Sequence, residues 1–69
     1  MKYRLLIIDG TTYQTSYFER MKTSYGGHRI ITSSNQGRIY TSIESAEADA
    51  LLVEKYYSGP HRLKIIECE

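Results

Sequence analysis

The sequence has one cysteine (Cys68), one proline, no tryptophan and no apolar run longer than four residues. Each scarcity excludes something. A lone thiol cannot close an intramolecular disulfide, so packing has to hold the fold together. Small secreted domains usually carry paired cysteines, so a reducing, cytoplasmic setting is expected. Leu5-Leu6-Ile7-Ile8 is too short for a signal-peptide core and is followed by Asp9, so no signal peptide is expected. A membrane-spanning helix needs roughly 18 or more apolar residues, so no membrane association is expected either.

The donors needed for site chemistry are equally scarce. His28, His61 and Cys68 are the only nitrogen and sulfur ligands, with no CxxC, HxH or HExxH spacing, so no metal is expected. Gly26-Gly27 lacks the Lys-Ser/Thr of a P-loop and the third glycine of a dinucleotide loop. No carboxylate pair sits in a pattern that implies a cleft able to shift a pKa. The expectation is a protein with no catalytic residues and no cofactor.

The 69 residues form a single domain, 1–69. A chain of this size buries only about 60% of its unfolded surface. The net charge of +1 hides an asymmetry: residues 1–38 hold six cations against two carboxylates, and residues 39–69 hold three against six. Seven tyrosines supply amphipathic side chains suited to sheet surfaces and to interfaces.

Lys2 to Ile8 reads as a buried strand. Asp9-Gly10 favours a tight two-residue turn into Thr11–Phe18, which is rich in strand formers, giving a first hairpin. A helix competes for the same stretch. Ser16 and Glu19 have capping-box spacing, and Tyr13, Tyr17 and Met21 share a helical face. Arg29–Ser34 and Arg38–Ser42 alternate around Ser34-Asn35-Gln36-Gly37, which predicts a second hairpin. Ser42 is a candidate N-cap for a helix over about 43–58, with Ile43, Ala46, Ala50, Val53 and Tyr57 on its apolar face. Gly59-Pro60 ends that helix, and Arg62–Cys68 forms a closing strand. Leu63 and Ile65 face one way, Lys64 and Ile66 the other. The expected fold class is α+β: a small, mostly antiparallel sheet of four to five strands against one main helix. It becomes a ferredoxin-like βαββαβ arrangement if residues 13–24 are helical.

Two surfaces emerge as candidates for binding. One is basic and aromatic, with Arg4, Arg20, Lys22, Arg29 and Arg38 interleaved with Tyr13, Tyr17, Tyr25 and Tyr40. The other is on the helix, where Leu51 lies among Glu44, Glu47 and Glu54, an apolar centre with a polar rim. Asp49 points into the helix's apolar arc, so it needs a partner, such as an arginine from the sheet, or a place at the edge of the arc.

The Leu5–Ile8 strand, the Gly37–Ser42 segment running into an Ala/Glu-rich helix, and the closing Leu63-Lys64-Ile65-Ile66 strand together resemble small phage-encoded host-takeover proteins of the anti-CRISPR and anti-defence type. The resemblance is one of layout and carries no functional residue across. It implies a compact protein that occupies a surface of a larger host protein or nucleoprotein complex, in the host cytoplasm, as an inhibitor or regulator. The alternative is a small nucleic-acid-binding protein that uses the basic, Tyr-rich sheet face. Self-association through exposed strand edges is a third option.

Overall fold

The computed structural model describes residues 1–68. Four strands and one helix follow one another as β1 (Lys2–Asp9), β2 (Thr15–Ser24), β3 (Gly27–Ser33), α1 (Ile43–Tyr56) and β4 (His61–Cys68). The sheet order is β3-β2-β1-β4, and every pairing is antiparallel. This is the α+β class expected from the sequence. Residues 15–24 are a strand, so the ferredoxin-like order does not apply. The connection from β3 to β4 crosses the whole sheet, and α1 makes that crossing over one face.

Alternation decides which side chains α1 covers. On β1, Leu5 and Ile7 are fully buried, and they meet Phe18 of β2 together with Tyr40, Ala46 and Val53. Tyr3, Met21, Ile30, Ala50, Tyr57, Leu63 and Ile65 pack around this core. The helix begins where expected. Ser42 is extended, and its side chain accepts the Ser45 amide hydrogen bond at 3.3 Å. Glu44 in the first turn and Lys55 in the last suit the helix dipole. Ile43, expected on the apolar face, is the first residue of the helix and is 43% exposed.

The first hairpin forms, but with a longer turn than the expected two residues. Asp9 N–H donates to the Gln14 carbonyl at 2.9 Å, and Tyr13 adopts the left-handed conformation at φ 62°. Gly10 is needed for proximity. Its N–H donates to the Pro60 carbonyl at 2.8 Å, and a Cβ there would meet that oxygen at 2.8 Å.

The second hairpin is a correction. β3 pairs with β2 through the Tyr25-Gly26 turn, not with residues 38–42. β2 bulges between Phe18 and Arg20, and its register with β1 covers only Tyr17, Ser16 and Thr15. The two strands therefore part. Residues 38–40 fill the gap: Arg38 N–H donates to the Phe18 carbonyl at 2.8 Å, and Tyr40 exchanges two 2.8 Å backbone bonds with Tyr3. The extended character read at 38–40 is real, but its partners are β1 and β2. The sequence 34–37 turns the chain into this slot, with Ser33 Oγ accepting from the Asn35 and Gln36 amides and Gly37 at φ 72°. A Cβ on Gly37 would collide with the Tyr17 Cβ and lie 2.9 Å from the Phe18 carbonyl oxygen.

Leu5→Ala should cost about 2–5 kcal/mol in urea unfolding, whereas Leu51→Ala on the exposed helix face should stay within about 0.5 kcal/mol. Gly37→Ala should cost more than the ~1 kcal/mol of a left-handed alanine, because it also opens the slot between β1 and β2. A Gly37→Ala protein as stable as the parent would refute that account.

Candidate docking face

With α1 on one side, the side chains of opposite parity form an uncovered face. The strand register places Lys2, Arg4, Leu6 and Ile8 of β1 there, with Arg62, Lys64, Ile66 and Cys68 of β4. β2 contributes Thr15 and Tyr17 before its bulge and Arg20 and Lys22 after it, and β3 adds Arg29, Ile31 and Ser33. Seven of the nine lysines and arginines thus share one face. Asp9 and Glu67 lie on the helix side by the same parity, and Glu44, Glu47 and Glu54 are exposed on α1. Glu19 at the bulge lies 3.9 Å from Arg20, at the limit of an ion pair.

The apolar members of this face, Leu6, Ile8, Tyr17, Ile31 and Ile66, are all half-buried. Between β1 and β4 they alternate with cations: Arg4 faces Ile66, Leu6 faces Lys64, and Ile8 faces Arg62. Long cationic stems can lie over such aliphatic neighbours while their charges stay in water. Lys22 and Arg29 break the pattern. They are direct cross-strand partners, a like-charge pair that weakens a hairpin. The Arg4 guanidinium carbon sits 5.4 Å from the centroid of the Tyr17 ring.

The sequence-derived site residues separate into three groups. Arg4, Tyr17 and Arg29 come together on the open face. Tyr13, 78% exposed, lies at its edge, beside Ile8 and Arg62. Glu44, Glu47, Leu51 and Glu54 form the expected exposed strip on the helix, with Leu51 at 69% exposure. Arg38 and Tyr40 do not join the basic face. Tyr40 is buried under α1, where its hydroxyl donates to Asp49 at 2.6 Å, and Arg38 Nη1 donates to the same carboxylate oxygen at 3.2 Å. This is the partner expected for Asp49: an arginine of the extended 38–40 segment, joined by the Tyr40 hydroxyl. Sequence reading missed Lys2, Arg62 and Lys64 as members of the basic face. The signal was available in the alternation of Leu63/Ile65 against Lys64/Ile66. What it lacked was the β1–β4 pairing that brings those cations beside Arg4.

On the helix side, Asp9 organises the first turn. Its carboxylate accepts the Thr11 and Thr12 amides at 2.8 and 3.0 Å and the Tyr57 hydroxyl at 3.1 Å. The Thr12 and Thr11 amides hold its carboxyl below the usual carboxylate range. Burial, then the Asp9 carboxylate, pushes the Tyr57 hydroxyl up. Burial, then the Asp49 carboxylate, pushes the Tyr40 hydroxyl up. His28 packs edge-on against Tyr56 with ring centroids 4.3 Å apart, and His61 lies 4.7 Å from Tyr57. Among the described residues no three His, Cys, Asp or Glu gather in a metal-binding group. Among the described residues no helix is long and apolar enough to cross a membrane. No protein-family model, curated protein or solved structure matches the chain.

The pH dependence follows from these shifts. A depressed Asp9 stabilises the fold above its unfolded value and loses that contribution as pH falls through the folded one. The Thr11 and Thr12 amide shifts should therefore titrate together with a midpoint below 3.8, and Asp9→Asn should abolish the titration. A midpoint at or above 3.8 would contradict the geometry. At the alkaline end the raised Tyr40 and Tyr57 keep protons that the unfolded chain loses. Stability should decline as pH rises above 10, less steeply in Tyr40→Phe once each protein is compared with its own neutral-pH value.

Proposed function

We propose that this chain is a non-enzymatic protein-binding module whose helix-free sheet face docks onto an acidic surface of a larger protein or nucleoprotein complex. The observation that carries this reading is the open face itself, on which half-buried aliphatic side chains are interleaved with seven cations. Apolar area open to burial supplies a protein–protein contact with binding energy, and charges of a single sign set among it select partners of opposite charge. Like charges oppose two copies meeting through this face, which argues against sheet-to-sheet self-association. In keeping with the layout resemblance to phage host-takeover proteins, the partner is a component of a host machine, and binding inhibits or regulates it in the host cytoplasm. The acidic Glu44-Glu47-Leu51-Glu54 strip offers a second, weaker contact on the opposite side.

A second reading, nucleic-acid binding, draws on the same seven cations. It is less well supported because stacking platforms need free aromatic rings. The one tyrosine in the middle of the face, Tyr17, is already covered by Arg4, and Tyr40 is buried.

Affinity capture from nuclease-treated host lysate should recover a stoichiometric protein. The charge reversal Arg20→Glu/Lys22→Glu/Arg29→Glu should reduce recovery by at least about tenfold, as loss of steering and rim pairing predicts. Glu47→Lys should change recovery far less. Capture that survives the triple reversal, or that vanishes on nuclease treatment, would overturn the protein-docking reading. In the nuclease case, affinity for oligonucleotides falling steeply with salt would establish the second reading.

A further inference from the structure

We propose that Arg4 is the specificity-determining anchor of the open face: stacked on Tyr17 in the free chain, it turns outward on binding to take up a protein carboxylate that sits beside an apolar side chain. This rests on the reading of the sheet face as a docking surface and adds the chemistry that the face selects.

Three observations converge on Arg4. It lies in β1, one of the two central strands, with Ile66 directly across on β4 and Leu6 two residues along the same face. Its guanidinium rests over the Tyr17 ring at 5.4 Å. Its Nε is closed off from solvent and has no hydrogen-bond partner, the one such buried side-chain atom among the described residues. A buried donor left unpaired carries the full cost of its lost hydration, more so on a charged group. The free chain holds Arg4 in a position that leaves one bond unmade.

An anion arriving at the face removes that cost. Drawing the guanidinium off Tyr17 exposes Nε alongside a terminal nitrogen, the pair of parallel donors that a carboxylate accepts in bidentate fashion. The bond missing in the free state forms in the bound one, so an oxyanion gains more from Arg4 than from the neighbouring lysines. The surroundings favour a carboxylate on a protein segment over a phosphodiester. Leu6 and Ile66 flank Arg4 and offer burial to an aliphatic or aromatic residue next to the acid.

The test follows the Arg4 Nε–H resonance in ¹H–¹⁵N spectra of the full chain during titration with three probes of equal charge. These are a short peptide alternating Glu and Leu, an oligoglutamate and an oligodeoxythymidine. The Glu/Leu peptide should shift the Arg4 Nε–H and bind tightest. Arg4→Lys keeps the charge but not the paired donors, and should weaken that peptide about tenfold, while Lys64→Arg should not. Spectral dispersion of Arg4→Lys confirms its fold, and the Nε–H titration of the parent chain stands independently of any variant. If backbone amides of the open face respond while the Arg4 Nε–H stays still, or if Arg4→Lys binds like the parent, the anchor is wrong and the docking face survives. If the oligodeoxythymidine binds tightest, the carboxylate assignment is overturned. If no probe perturbs the open face, the anchor and the docking reading fail together.

Discussion

A four-stranded sheet has two faces, and the one helix among the described residues covers one of them. Everything distinctive about the surface follows from how the other face meets water. Alternation would place polar residues there in a simple two-layer fold. Here β1 and β4 keep aliphatics on both sides, and the uncovered ones are interleaved with arginines and lysines whose stems can shield them. That arrangement solvates the face without removing its apolar content, so it remains available for burial against something else.

The helix side depends on a different feature, the parting of β1 and β2 after the Phe18–Arg20 bulge. The slot segment 38–40 completes the sheet, delivers Tyr40 to the core and ties it to the helix through Asp49. Asp49 would otherwise lie unpaired near an apolar arc, and the Arg38 and Tyr40 contacts satisfy it from one stretch of backbone. The same contacts withdraw Arg38 and Tyr40 from the basic face. The bulge therefore settles both how the helix is held and which side chains remain for binding.

Much of this was legible in the sequence. The helix from its Ser42 cap, β1, the closing strand and the exposed Leu51–Glu strip follow from periodicity and capping chemistry, which are local. The 34–37 turn was also read correctly as a turn. The error lay in its partner, because turn composition says where the chain reverses and not which strand waits on the other side. A bulge at Phe18–Arg20 leaves no residue signature, and without it 38–40 has no slot to enter. The docking face was half visible for the same reason. Arg4, Tyr17 and Arg29 were grouped by residue type, whereas Arg62 and Lys64 join them only through antiparallel pairing across some sixty residues of chain. Gly10 teaches a related lesson. The Asp9-Gly10 dipeptide predicts a turn glycine, whereas Gly10 is required by the close approach of Pro60, a tertiary contact.

A face of one charge sign is not what solubility requires. Mixed signs keep a small protein soluble without self-repulsion, and chains of this size have little stability to spare. Yet Asp9, Glu44, Glu47, Asp49, Glu54 and Glu67 lie on the helix side, and Lys22 and Arg29 are set directly opposite each other. A single exchange of one of them for glutamate would turn the repulsion into a cross-strand ion pair at no cost to the core. An arrangement that forgoes this stabilisation, and leaves the Arg4 Nε unpaired beside it, has the form of a site kept ready for an external anion. Repulsion within the face and attraction toward a partner are two consequences of the same charge distribution. The binding energy available to the complex is raised by the strain that the free chain carries.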